Sequence, residues 1–153
     1  MEEKNLVLEL DALLENESDP IALMANAAAL LFHALDDINW LGFYRLKDGE
    51  LVLGPFQGKV ACTRIALNRG VCGAAFSNNT VLRVDNVHEF PGHIACDADS
   101  RSEIVLPLAG KNGQPVGVLD VDSASYGRFT MEDEKTLTLL AGHIAKALNE
   151  VRA

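Results

Sequence analysis

The sequence predicts a single α+β domain over residues 1–153, built on an antiparallel β-sheet with helices near both ends of the chain. Two pairs of apolar-rich segments are each joined by a short turn that ends in glycine, at Gly49 and at Gly113, which is the pattern of a β-hairpin. Segments near both termini repeat apolar side chains at the three- and four-residue spacing of a helix. No internal repeat, low-complexity stretch or linker divides the 153 residues, so one domain is expected.

Helix starts in this sequence carry recognisable capping residues. Asp19 precedes a proline, and Thr130 lies three residues before Asp133, close to a capping-box pattern. The predicted helices cover residues 3–15, 20–35, 70–78 and 130–151. We expect their apolar stripes to face the sheet, including Leu13 in the first helix and Ile21 in the second.

Six strands are predicted from runs of apolar and β-branched residues bounded by turn residues. They cover residues 40–46, 50–56, 59–67, 80–85, 103–108 and 115–121. The third of these strands carries Cys62. Residues 86–102 are predicted to form a long polar loop, which contains His88, His93 and Cys96. A loop of this length in a small domain is usually functional or mobile.

Composition excludes several classes of protein. The chain is 48% hydrophobic and 23% charged, as expected of a globular domain, and 22 acidic against 13 basic residues give a net charge of −9. This charge argues against nucleic-acid binding, which needs a basic surface. No apolar run reaches the roughly 20 residues of a membrane span, and the first residues do not resemble a secretory signal. We therefore expect a cytoplasmic protein that binds neither nucleic acid nor a membrane.

Three acidic residues are candidates for a binding site. Asp120 and Asp122 are two positions apart on one strand, so both side chains point to the same face of the sheet, and Glu103 begins the strand predicted to pair with it. Like charges this close raise at least one pKa unless a cation lies between them, and an ammonium group would suit that position. The non-functional alternative is that both carboxylates lie at the end of a strand and face water, as most acidic side chains do.

The three cysteines suggest thiol chemistry, because cytosolic cysteines are more often catalytic, metal-binding or buried than disulfide-linked. Cys72 lies at a possible helix start, where the helix dipole favours a reactive thiolate. Cys96 lies on the polar loop, a poor place to bury a thiol, whereas Cys62 alone is best interpreted as a small buried residue. Zinc held by His88, His93 and Cys96 with another cysteine is an alternative, but no Cys-x-x-Cys is present, and we expect no metal or other bound cofactor.

Several motifs resemble one family. They are Gly54-Pro55-Phe56-Gln57-Gly58, Ala61-Cys62-Thr63-Arg64-Ile65, Gly70-Val71-Cys72-Gly73, Gly92-His93-Ile94-Ala95-Cys96, Ser102 to Leu108, and Gly117 to Ser123. The set is similar to that of the free methionine-(R)-sulfoxide reductases, which are stand-alone GAF domains. The resemblance implies a six-stranded antiparallel sheet with the N- and C-terminal helices on one face and pocket loops over the other.

The resemblance also implies a reaction and the residues that perform it. Free methionine-(R)-sulfoxide would be reduced through a sulfenic acid and a disulfide, with thioredoxin as the external reductant. Cys96 matches the nucleophile, Cys62 the main resolving cysteine and Cys72 a third cysteine. The matching pocket residues are Trp40, Glu103, Asp120 and Asp122, and any of the three acids is a candidate proton donor.

Two alternatives remain open from the sequence. The domain could instead be a ligand-sensing GAF module whose cysteines are incidental. The wide apolar stripes of the terminal helices suggest a homodimer, although a monomer whose helices simply cover its sheet fits them equally well.

Overall fold

A computed structural model describes residues 3–93 and 98–151 of the chain. Its centre is a six-stranded antiparallel sheet. The strands are β1 (Trp40–Lys47), β2 (Glu50–Gly58), β3 (Arg64–Ala66), β4 (Leu82–Val84), β5 (Ser102–Ala109) and β6 (Pro115–Ser123), in the order β3-β2-β1-β6-β5-β4. The helices are α1 (Glu3–Leu14), α2 (Pro20–Ala34), α3 (Gly70–Asn78) and α4 (Met131–Val151), and a short 3-10 helix covers Val87–Glu89. The predicted α+β architecture is confirmed.

Each face of the sheet has its own buried cluster, because successive strand residues point to opposite faces. Leu41 and Phe43 of β1 pack against α1, α2 and α4, in the larger apolar cluster. Trp40 and Tyr44 of the same strand lie in the second cluster, which α3 covers. The sheet therefore has one face that is covered by α1, α2 and α4. On its second face, called here the pocket face, lie α3 and the loops.

Both predicted helix caps are present. The Asp19 carboxylate accepts hydrogen bonds from the main-chain N–H groups of Ile21 and Ala22, at 2.8 and 3.2 Å. Thr130 and Asp133 bond reciprocally, since each side chain accepts from the main-chain N–H of the other, at 2.9 and 3.1 Å. These bonds satisfy donors that the first helical turn leaves without partners. The predicted inward positions of Leu13 and Ile21 are wrong, because both side chains are exposed.

The third strand is shorter than predicted, and the predicted location of Cys62 on it is wrong. Only Arg64–Ala66 pairs with β2, and a last hydrogen bond runs from the Leu53 N–H to the Thr63 carbonyl. Two residues further along β2, the next main-chain nitrogen on that side belongs to Pro55, which has no N–H to donate. Cys62 therefore precedes the strand, in the irregular segment 59–63.

The predicted polar loop after β4 contains a 3-10 helix, and the Asn86 side chain accepts from the His88 N–H at 3.0 Å. Cys96 lies outside the described residues. Within the described parts of the chain, no helix is both long and apolar enough to cross a membrane.

Candidate active site

Strand register brings four of the predicted site residues into one row on the pocket face. Asp122 of β6 lies opposite Trp40 of β1 on one side and opposite Glu103 of β5 on the other. Asp120, two residues before Asp122, lies opposite Gly42 and Val105 and so faces the same way. All four side chains line one pocket. The alternative in which the acidic pair faces water is wrong, since Asp120 is only 5% exposed and Asp122 and Glu103 are equally well buried.

Burial and mutual proximity determine the charge of the acidic cluster formed by Glu103, Asp120 and Asp122. Removal from water raises the pKa of Glu103 and of Asp120 well above the ordinary carboxyl range, and the neighbouring carboxylates raise both further. The described residues provide no Lys or Arg ion pair to Glu103 or Asp120. Among the described residues, Asp120 Oδ1 is buried and has no hydrogen-bond partner. The raised pKa values favour the protonated forms of Glu103 and Asp120, and Asp120 offers one buried acceptor atom that no described residue uses.

Cys72 belongs to this cluster through the first turn of α3. Its thiol is buried and donates to Glu103 Oε2, with sulfur and oxygen 4.0 Å apart. Burial first, and then the nearby Asp120 and Glu103 carboxyls, raise the pKa of this thiol well above its usual value. The predicted thiolate at Cys72 is therefore wrong. The helix N-terminus does favour a thiolate, but desolvation and adjacent acids outweigh it.

Trp40 forms one wall of the pocket and is fixed on several sides. Its Nε1 donates to the Lys59 carbonyl at 3.1 Å, and its ring stacks on Phe56 with centroids 5.2 Å apart. A Cβ at Gly58 would lie 2.6 Å from the indole, and the backbone there has a φ of +130° that favours glycine. The Gly-Pro-Phe-Gln-Gly motif thus holds the indole in place.

Tyr44 connects the pocket to the cysteine segment. Its hydroxyl donates to the Cys62 carbonyl at 2.9 Å, and its ring lies 6.0 Å from the Trp40 ring in a stacked arrangement. Burial and the nearby Asp120 raise the pKa of its phenol, so the hydroxyl remains a donor. The sequence analysis did not identify Tyr44, although its position four residues after Trp40 on one strand places both on the same face.

The redox states of the two described cysteines differ. Cys62 is half-buried and disulfide-bonded, whereas Cys72 is a free thiol. The predicted nucleophile, Cys96, falls among the residues whose structure is not described.

Two histidines lie side by side near the pocket. His93 lines the pocket, and its ring is T-shaped to that of His88 with centroids 6.0 Å apart. Partial burial, followed by the neighbouring His88, lowers the pKa of His93, so its ring is neutral near pH 7. Arg69 and Ser100 also line the pocket, and neither residue belongs to a periodic pattern in the sequence.

One group of side chains has the geometry of a metal site. Donor atoms of Cys72, Glu103 and Asp120 all lie within 4.8 Å of one another. A metal ion held there would displace the protons of the thiol and the carboxyls, all of which have raised pKa values. An ammonium group would instead donate hydrogen bonds to these carboxyls, and Asp120 Oδ1 is an acceptor that no described residue uses.

The chain is similar to known proteins in both sequence and structure. A family model described as a GAF domain matches residues 19–149. The free methionine-R-sulfoxide reductase of Escherichia coli is 56% identical over 140 residues, which cover 92% of this chain and 84% of that protein. This chain belongs to the free methionine-R-sulfoxide reductase family.

Two further relatives support the assignment to the reductase family. The free methionine-R-sulfoxide reductase of Saccharomyces cerevisiae is 40% identical over 151 residues, or 94% of this chain and 84% of that protein. A crystal structure of the Neisseria meningitidis free methionine-R-sulfoxide reductase, in complex with its substrate, superposes with a TM-score of 0.93 at 40% identity, and covers 98% of this chain and 90% of that one. The sequence resemblance to this reductase family and the GAF fold are both confirmed.

Proposed function

We propose that this protein reduces free methionine-(R)-sulfoxide to methionine. The observation that carries the proposal is the buried cluster of Glu103, Asp120 and Asp122 beside the Trp40 wall in one small pocket. The family relatives named above, one of them in complex with its substrate, support the same reaction.

Charge counting explains why the ligand should be a free amino acid. Three buried carboxyls cannot all ionise together, but one ammonium group compensates for about one negative charge. The substrate's α-ammonium would donate to Asp120 Oδ1 and its neighbours, and this lowers their pKa values. A methionine sulfoxide residue within a peptide has an amide instead of an ammonium, so it brings no positive charge to the acids and fewer N–H donors for Asp120 Oδ1.

The carboxyls left protonated supply the second requirement of the reaction. A sulfoxide oxygen is a poor leaving group unless it is protonated or strongly hydrogen-bonded as charge develops on it. Glu103 is our candidate donor, because burial and the neighbouring Asp120 raise its pKa and so favour its protonated form. Trp40 would contact the ε-methyl group, for which a fixed aromatic ring is a suitable apolar wall.

The proposed catalytic cycle has three thiol steps. The Cys96 thiolate attacks the sulfoxide sulfur and forms a bond between the two sulfurs, while a proton is delivered to the oxygen. The oxygen then passes to the Cys96 sulfur as the bond between the sulfurs breaks, so methionine leaves and Cys96 becomes a sulfenic acid. The Cys62 thiol then attacks the sulfenic sulfur, which forms a Cys62–Cys96 disulfide and releases water. An external dithiol, for which we propose thioredoxin, reduces this disulfide and is itself oxidised. Such a cycle requires a reducing compartment, which suits a cytoplasmic location.

Two observations favour Cys62 over Cys72 as the resolving thiol. Cys62 is disulfide-bonded in an irregular segment, while Cys72 is buried, free and held as a thiol by its acidic neighbours. Since the thiolate is the attacking species, a thiol with a raised pKa is poorly suited to resolve a sulfenic acid. We propose that Cys72 instead acts as a hydrogen-bond donor to Glu103.

One assay tests the proposed activity. The protein is mixed with free L-methionine-(R)-sulfoxide, thioredoxin, thioredoxin reductase and NADPH, and NADPH oxidation is followed; N-acetylmethionine-(R)-sulfoxide is the matched substrate without an ammonium. We expect turnover of the free amino acid only, and none with Cys96→Ser. Equal turnover of both substrates would contradict ammonium recognition, and full activity in Cys96→Ser would show that the nucleophile is wrong.

We also propose a homodimer. Leu8 of α1 and Leu139 of α4 are exposed, and Leu139 lines a groove between these helices. Sedimentation at several protein concentrations tests this; a single monomer mass throughout would contradict it.

A further inference from the structure

Segment 59–63 exposes an apolar side chain next to the disulfide-bonded cysteine. Val60 lies two residues before Cys62 and is 87% exposed, the most of any large apolar side chain among the described residues. Cys62 itself is half-buried. Val60 is therefore placed so that a partner that reaches the disulfide-bonded sulfur of Cys62 would contact this apolar side chain.

The main chain beside Val60 is also available for pairing. Among the described residues, no main-chain hydrogen bond involves Val60 or Ala61. No described residue pairs with the outer edge of β2 from Gly54 to Gly58, because β3 pairs only with Glu50–Val52. Unpaired extended backbone of this kind is a template on which a partner chain can add its own hydrogen bonds.

Charge along this part of the sequence is opposite in sign to that of the whole protein. Residues 51–69 contain three basic residues and no acidic one, although the full chain has a net charge of −9. The three basic residues are Lys59, Arg64 and Arg69. Lys59 is paired with Asp99 at 2.7 Å and Arg64 with Glu50 at 2.7 Å, but Arg69 is exposed and has no ion pair among the described residues. A partner with an acidic surface is complementary to this region and is repelled by the rest of the protein.

We propose that residues 59–62 are the docking surface for an acidic dithiol oxidoreductase that reduces the Cys62 disulfide. This inference rests on the proposed catalytic cycle, and it adds where the protein reductant binds. In the exchange step, a partner thiolate attacks a sulfur of the disulfide and forms a mixed disulfide. A second partner thiol then attacks this intermediate, so the partner is oxidised and both cysteines of this chain become thiols. Val60 would contact the apolar rim around the partner's reactive cysteine, and the 60–61 main chain would pair with it.

A comparison of two reductants tests the surface separately from the chemistry. Activity is measured with a bacterial thioredoxin recycled by its NADPH-dependent reductase, and again with dithiothreitol, which needs no docking surface. In Val60→Asp we expect about a tenfold rise in KM for thioredoxin, the size of one lost apolar contact next to a new like charge. The dithiothreitol-supported rate should stay within about twofold of the original. Val60→Lys should lose less than Val60→Asp, because an acidic partner tolerates the cation.

Met131→Asp is the matched control, since Met131 is 57% exposed at the start of α4 and far in sequence from the disulfide segment. It should leave both rates unchanged. An unchanged KM for thioredoxin in Val60→Asp would overturn the docking surface, and so would equal losses with both reductants. Equal losses in Val60→Lys and Val60→Asp would contradict an acidic partner. Absence of turnover with dithiothreitol in the unmodified protein would instead overturn the proposed activity itself.

Discussion

The two faces of the sheet are built from the same strands but bury opposite kinds of side chain. On β6, Leu119 and Val121 pack into the apolar cluster beneath the helices, while Asp120 and Asp122 lie buried on the pocket face. Apolar burial on the helix-covered face is favourable by itself. Acid burial on the pocket face is unfavourable until a cation arrives, so that face is arranged for a ligand and not for stability.

The largest effect should come from the helix-covered face. Leu119→Ala removes a fully buried side chain and leaves a cavity, so we expect the free energy of unfolding to fall by about 2–5 kcal/mol. KM for the sulfoxide should stay within about twofold, because that side chain points away from the pocket. Urea denaturation and steady-state kinetics measure the two quantities. A large change in KM with unchanged stability would contradict the separation of the faces.

The second prediction concerns the pocket face. Asp120→Asn with Asp122→Asn leaves the ammonium without a charged acceptor at these positions, a loss of about 1.5–3 kcal/mol, so KM for free methionine-(R)-sulfoxide should rise at least about tenfold. Stability should change little or increase, since two buried carboxyls are removed. Loss of the fold in this variant would show that both acids have a structural role, and would contradict this prediction.

The third prediction is the pH dependence of stability. The pKa values of Glu103 and Asp120 are raised by folding above their reference values of 4.5 and 3.8, so folding favours the protonated forms. Stability from these groups is fully present below pH 4 and is lost as pH rises through the reference values toward the raised ones. The melting temperature without ligand should therefore fall as pH rises through this range. The slope of melting temperature against pH should be smaller in Asp120→Asn. Identical slopes would contradict the raised pKa values.

The smallest effect should come from a cap remote from both the pocket and the core. Asp19→Ala removes the acceptor for two N–H groups at the start of α2, which costs about 1 kcal/mol. Activity at a temperature below unfolding should not change. Asp19→Asn is the matched control, because an asparagine caps almost as well, and an equal loss in both variants would contradict the capping role.

Much of the helix-covered face was predictable from the sequence, because its signals are local. Caps at Asp19 and Thr130 and the apolar spacing within α4 each depend on a few adjacent residues. The acidic row was predictable for the same reason, since strand alternation places Asp120 and Asp122 on one face and the hairpin brings Glu103 beside them.

Features that depend on tertiary contacts were not predictable. The state of Cys72 is one example, because only the folded structure shows that its thiol is enclosed by Glu103 and Asp120. The short third strand is another, since Pro55 ends a ladder whose register cannot be determined before the sheet is formed. Arg69 reaches the pocket entrance through the placement of α3, for which no local pattern exists.

Proton release on ligand binding tests the central claim most directly, which is that a protonated acidic cluster recognises an ammonium group. Calorimetric titration of the protein with methionine, the proposed product, in two buffers of different ionisation enthalpy near pH 7 gives the number of protons released. We predict a release approaching one proton per methionine bound, and little release in Asp120→Asn with Asp122→Asn. Binding without proton release, together with equal affinity for N-acetylmethionine, would contradict the claim.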